Sequence, residues 1–287
     1  VSHPHRLALL GGGFSTDDDG LLDDWVLGHA RTPRPKVCFL PTAGGDAPAY
    51  IEKFLVAFRD RPDCEPSVLR LFERKLDDEA LRAFVLAQDV VYVGGGNTAN
   101  LLAVWHVHGV DRLLREAYDQ GTLLCGISAG ANCWAESSHT DSFGPLTFLP
   151  DGLGLLPGSV CPHYDSEPGR RPSYRAAVAT GVLPAGWALD DGTGALFTDG
   201  RLTETVSRVP GASVYRVTEG AGEADERVLP CRILSRISAR KPRLGNYGSE
   251  VSDSSDLRVS LPYTPDSSPR MTRVSWYVRT APSTSRS

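Results

Sequence analysis

A serine held between two glycines, where an apolar strand should run into a helix, is the residue best placed to do chemistry. Residues 122–131 read Thr-Leu-Leu-Cys-Gly-Ile-Ser-Ala-Gly-Ala, which puts Ser128 in a Gly-x-Ser-x-Gly sequence. Gly126 and Gly130 permit a sharp strand-to-helix turn without Cβ clashes, so the hydroxyl is lifted clear of the sheet. The chemistry this serves is acyl transfer: the serine attacks a carbonyl and nearby N–H groups hold the oxyanion that develops. Small residues also build plain tight turns, so the motif acquires meaning only from partners.

A nucleophilic serine needs a base. His163, in Cys161-Pro162-His163-Tyr164-Asp165 at the end of an expected strand, is the favoured one. In an open α/β sheet the carboxyl ends of the strands form the ligand edge, so Ser128 and His163 are expected in one crevice. The competing histidine is His139, expected on a loop leaving the elbow helix. A second glycine-rich turn, Val93-Gly94-Gly95-Gly96-Asn97-Thr98, also joins a strand to a helix. It lacks the Lys-Ser/Thr of a phosphate loop and the Gly-x-Gly-x-x-Gly spacing, as does Gly11-Gly12-Gly13-Phe14, so nucleotide binding is disfavoured. An oxyanion hole is the better use, with the N–H of Gly95 or Gly96 joining that of Ala129. Asn97 is expected to cap the following helix and to border the substrate.

The elements that must carry these groups follow from periodicity. Apolar, β-branched runs over 6–10, 36–40, 67–72, 89–93 and 122–127 alternate with helical patterns over 21–30, 50–60, 77–88, 98–105 and 111–119. That alternation predicts an α/β fold, a mostly parallel sheet with helices on both faces. Strands over 159–163 and 187–190 follow the elbow. Beyond Gly194, a hairpin turn at Thr198-Asp199-Gly200-Arg201 and strands over 213–218 and 227–234 suggest an antiparallel extension. Two regions result: a catalytic domain over 1–238, and a Ser/Pro/Arg-rich tail over 239–287 with too little apolar surface to order itself.

With 287 residues and 41% hydrophobic content, a sizeable core is available. The net charge of -5 argues against nucleic acid as a partner. Residues 1–6 pass straight into a strand without a signal-peptide core, and no apolar run is long enough for a bilayer, so the expected setting is cytoplasmic, with no membrane partner. The six cysteines are scattered through apolar segments and read as buried free thiols. The seven histidines make no zinc spacing. His106 and His108 are expected on a surface loop, and no metal or cofactor is called for.

Taken in order, Leu10-Gly11-Gly12-Gly13, Leu40-Pro41-Thr42-Ala43, the Gly94–Gly96 turn, the Ser128 elbow and Pro162-His163 resemble the motifs of the peptidase E (aspartyl dipeptidase) family, with cyanophycinase a distant relative. The resemblance covers roughly residues 6–235. It implies a class I glutamine amidotransferase-like (flavodoxin-like) fold with serine in place of the elbow cysteine, and hydrolysis of dipeptides bearing N-terminal aspartate. It casts Ser128 as nucleophile, His163 as base, and Ala129 with Gly95 or Gly96 as oxyanion donors.

In well-known members of that family the third triad residue is an aspartate between the serine and the histidine. Here that stretch offers Asp141 as first choice and Glu136 as second, with Asp165, Asp190 and Asp191 as further options. Asp190-Asp191-Gly192-Thr193-Gly194 also reads as a solvated turn. An aspartyl substrate needs a cation, and Arg170 and Arg171 follow the base closely enough to supply a guanidinium fork. The same pair also reads as surface arginines at a helix start, with Glu167 as an internal partner. The expected activity is that of a serine peptidase on small peptides. A cyanophycinase-like or esterase activity, or a non-catalytic ligand-binding member of the fold, are the alternatives.

Overall fold

Strand residues that alternate between two apolar faces need a cover on each, and the computed structural model, which describes residues 3–236, supplies both covers. Strands β1 (Arg6–Leu10), β2 (Lys36–Leu40), β3 (Glu65–Val68), β4 (Val90–Val93) and β5 (Leu123–Ile127) run parallel in the spatial order β1, β5, β4, β2, β3. Ala8, Leu10, Val37, Phe39, Val90 and Tyr92 face helices α1 (Leu21–Leu27) and α2 (Pro48–Phe58). Leu7, Leu9, Cys38, Leu40, Val91 and Val93 face α3 (Asp78–Leu86), α4 (Thr98–His108) and α5 (Val110–Asp119). The α/β fold expected from the sequence is therefore the one found. Asp77 and Asn97 cap α3 and α4 through their side chains, accepting from Ala80 N at 2.8 Å and Asn100 N at 2.9 Å.

Beyond the elbow the architecture departs from a simple extension. After the short helix α6 (Ala129–Asn132) come β6 (Ala135–Thr140), β7 (Thr147–Leu149), β8 (Leu156–Cys161), α7 (Arg170–Ala179), β9 (Gly186–Leu189), β10 (Thr193–Thr198), β11 (Arg201–Ser207), β12 (Val214–Glu219), β13 (Ala224–Leu229) and β14 (Arg232–Ile233). Only β10, β11 and β14 join the first sheet, where β10 lies antiparallel to β1. The rest form a second, six-stranded sheet ordered β13, β12, β9, β8, β6, β7. Its parallel centre, β6, β8 and β9, packs Leu156, Val160 and Leu189 into the same core as α3–α5. The hairpin turn between β10 and β11 is as expected, with Asp199 and Gly200 at φ of 50° and 74°.

Three local expectations are corrected. The strand placed at 67–72 ends at Val68, because the amides of Leu71 and Phe72 turn away to donate to Asp46 Oδ2 at 2.6 and 2.9 Å. His106 and His108 lie in the last turn of α4 rather than on a loop, and His106 Nδ1 sits 3.2 Å from Asp111 Oδ2. His139 lies on β6, not on a loop, and is 1% exposed. Its Nε2 pairs with Ser173 Oγ at 2.9 Å, while Arg170 donates to its carbonyl at 3.2 Å. Cys38, Cys64, Cys125, Cys133 and Cys161 are buried free thiols, with Cys231 half-buried. No helix among the described residues is long and apolar enough to cross a membrane. The expectation for 239–287 lies outside the described residues.

Burial, followed by the Arg170 charge, pushes the His139 imidazole down from 6.5 to about 4. Between those values the unfolded chain holds a proton that the folded chain refuses. This contribution to stability is therefore complete above about pH 6.5, falls as pH drops through the window, and is fully lost below about pH 4. The linkage amounts to about 3 kcal/mol. Urea denaturation of wild type and His139→Gln from pH 7.5 to 4 should show the two stability curves converging toward acid. Parallel curves would remove His139 as the source.

Candidate active site

Ser128 directly follows β5 and precedes α6, and it adopts φ 57° and ψ -117°, a conformation disfavoured for a residue with a Cβ. The neighbouring glycines allow it. A Cβ on Gly126 would stand 2.3 Å from the Gly130 carbonyl oxygen, and one on Gly130 would stand 2.2 Å from that of Val93. Both obstacles are backbone, so neither can swing aside. Gly130→Ala should accordingly destabilise the protein by about 3 kcal/mol, read as a lowered denaturation midpoint. An unchanged midpoint would mean that the elbow is not packed on β4 as described.

The β4–α4 turn comes right up to Ser128. A Cβ on Gly95 would lie 3.2 Å from Ser128 Cβ and 3.7 Å from its Oγ. The Gly95 N–H, one of the expected oxyanion donors, is directed to the Tyr50 hydroxyl at 2.9 Å. Gly96 has φ 138° and is pressed against the Ala43 carbonyl. Ala129 opens α6, where its N–H has no carbonyl of the preceding turn to reach. Asn97 uses its amide on its own surroundings: Oδ1 caps α4 and Nδ2 donates to the Ser142 carbonyl at 2.8 Å.

His163 lies two residues past β8, at φ 56°, with 19% of its side chain exposed. Its Nδ1 is 2.7 Å from Asp191 Oδ1. Asp191 comes from the strand next door. β8 and β9 are parallel neighbours with Cys161 opposite Ala188, so the residues following each strand emerge side by side. Tyr164 N–H donates to the Leu189 carbonyl at 3.0 Å, and Asp191 N–H to Asp165 Oδ1 at 2.9 Å. Burial raises the Asp191 carboxyl, but hydrogen bonds from His163 and Ser166 and the charges of His163 and Arg170 outweigh it and hold it below its ordinary value. An ionised Asp191 fixes Nδ1 as the protonated nitrogen and leaves Nε2 free to accept a proton.

The favoured acids of the sequence reading are elsewhere. Glu136 points across its own sheet, where Oε2 accepts from Gly158 N at 2.8 Å, and Asp141 is an exposed residue just past β6. The reason is topological: Glu136 lies on β6 and Asp141 just past it, whereas the strand ends that meet are those of β8 and β9. The signal was present in the sequence, because Asp190-Asp191 closes an expected strand just as His163 does.

Backbone contacts connect this pair to the elbow. β1 and β5 are parallel with Leu10 opposite Ile127, which sets Gly11 beside Ser128. Gly11 N–H donates to the Thr193 carbonyl at 2.7 Å, and Gly192 N–H donates back to the Gly11 carbonyl. A Cβ on Gly11 would collide with the Asp190 carbonyl at 2.1 Å. The loop carrying Asp191 thus rests on the strand next to Ser128.

Both arginines are engaged internally. Arg170 is 2% exposed and pairs with Glu167. Arg171 pairs with Glu226 through Nε at 3.2 Å and through Nη2. Among the described residues no group of three or more His, Cys, Asp or Glu side chains is arranged to hold a metal ion.

Sequence and structure comparisons place these observations among known proteins. The family described as "Peptidase family S51" matches residues 7–205. The uncharacterized peptidase YgaJ of Bacillus subtilis is 48% identical over 229 residues, spanning 79% of this chain and 98% of the relative. Peptidase E of Pasteurella multocida is 41% identical over 80 residues, which is 27% of this chain and 34% of that relative. The chain is also similar in fold to a peptidase from an acI-B1 actinobacterium, with TM-score 0.61 and 20% identity over 80% of this chain and 96% of that one.

Proposed function

The chain belongs to peptidase family S51 and is a serine peptidase, and on that premise we propose that Ser128, His163 and Asp191 are its catalytic triad, acting on short peptides. The observation that carries this reading is the 2.7 Å contact between His163 and Asp191, on a loop hydrogen-bonded to the strand beside Ser128. His163 Nε2 takes the Ser128 proton as Oγ attacks the scissile carbonyl, and Asp191 stabilises the imidazolium. The proton then passes to the leaving amine, and water repeats the sequence to release the acyl group. The oxyanion is held by the N–H groups of Ala129 and Gly96, since that of Gly95 is already committed to Tyr50.

Dipeptides with N-terminal aspartate are the substrate class that the family resemblance implies. The pairing of Arg170 with Glu167 and of Arg171 with Glu226 weighs against either arginine as the cation that selects them. The test is hydrolysis of a panel of Asp-X, Asn-X and isoaspartyl dipeptides and small esters, alongside labelling by a serine-reactive phosphonate. Peptide turnover with label on Ser128 is expected. Ester turnover alone, or label on another residue, would replace this reading.

A further inference from the structure

Arg171 was expected to meet substrate, yet its surroundings give it a different task. The guanidinium lies over the rings of both Tyr164 and Tyr215, at 5.2 and 5.1 Å from their centroids, while forking onto Glu226. Each ring leads to one member of the proposed catalytic pair. Tyr164 directly follows His163, is 1% exposed, and donates its hydroxyl to the same Glu226. Tyr215 is 7% exposed and donates its hydroxyl to Asp190 Oδ2 at 3.0 Å, one residue before Asp191. Asp190 Oδ2 also accepts from Ser213 N at 2.9 Å, so this carboxylate anchors the acid-bearing loop to the start of β12. The two tyrosine rings lie 5.1 Å apart, tilted by 53°.

We infer that Arg171, through Tyr164, Tyr215 and Asp190, is a positioning residue that sets the geometry of His163 against Asp191. The inference rests on the triad reading above. A planar cation suits this role: it can cover two aromatic faces while its edge engages a carboxylate in two places, which a lysine ammonium cannot do. The side chain of Glu226 is 9% exposed, so its carboxylate relies on the donors around it, Arg171 and the Tyr164 hydroxyl. The clamp joins α7, β12 and β13 to the two loops that carry the catalytic pair.

Two variants test this in the full-length protein, beside wild type and Asp191→Asn. Tyr215→Phe removes a single hydroxyl and keeps the ring, so it leaves the packing in place even if Arg171→Ala, which strands Glu226, folds poorly. Because small displacements at a catalytic pair are costly, each is expected to lower kcat by about tenfold or more, with KM nearly unchanged and with equal losses on Asp-X and Asn-X substrates. Arg171→Lys should not restore the rate. The downfield proton resonance of the His163 imidazole bonded to Asp191 should shift or broaden in both variants while thermal melting of Tyr215→Phe stays near that of wild type. An unchanged kcat and imidazole resonance in Tyr215→Phe would overturn the inference. So would a loss in Arg171→Ala confined to Asp-X, which would make Arg171 a substrate cation. If Asp191→Asn itself retains full kcat, the triad reading fails rather than the clamp alone.

Discussion

Replacing Ser128 with alanine should lower kcat by about 10⁶-fold, the size of loss seen when the nucleophile of a triad is removed and only binding and oxyanion contacts remain. The substitution deletes one oxygen from a half-buried position and keeps the Cβ, so the elbow retains its backbone and its packing against Gly95. Melting temperature and calorimetric affinity for a dipeptide should therefore stay near wild type. Progress curves at high enzyme concentration, with the phosphonate label as a second readout, give the measurement. A Ser128→Ala enzyme with ordinary kcat would end the serine argument, whatever the quality of the geometry around it.

Asp191→Asn should cost about 10⁴-fold in kcat with little change in KM. The amide can still meet His163 Nδ1, but it favours the wrong tautomer and offers no charge to the imidazolium that forms. Asp141→Asn and Glu136→Gln should change kcat by no more than a few-fold, since one is exposed beyond β6 and the other is turned to Gly158. Parallel kinetics on the three variants decide the assignment. A dominant loss in Asp141→Asn would return the acid to the stretch between serine and histidine.

Much of the scaffold was legible because it obeys local rules. The alternation along 6–10 and 36–40 named two buried faces, and the glycines at 126 and 130 announced a turn that no larger residue permits. What escaped was burial without an apolar pattern. Ala-Glu-Ser-Ser-His-Thr over β6 looks like a polar loop, yet Ser137 through Thr140 are all buried there, with their backbones paired in a sheet and His139 satisfied by Ser173. The carboxylate that meets His163 was not the first choice because chain order was followed where strand adjacency decides. β8 and β9 lie side by side although the whole of α7 separates them in sequence. The arginines illustrate a third limit. Their type and nearness to His163 could be read, but Glu226, which takes up Arg171, lies on a strand 55 residues further on.

Three residues, Asp190 to Gly192, are all that separate β9 in one sheet from β10 in the other. Because this short span also carries Asp191 and is stitched at both ends, to Ser213 and to Gly11, it works as a gauge block between the two sheets. Surface loops usually accept added or lost residues over evolutionary time, whereas this crossing is bonded to the fold at both of its ends. One inserted residue would push the carboxylate along by about 3 Å and part it from the imidazole. A change of length at 190–192 is therefore expected to be felt first at the contact between His163 and Asp191, before either sheet is disturbed.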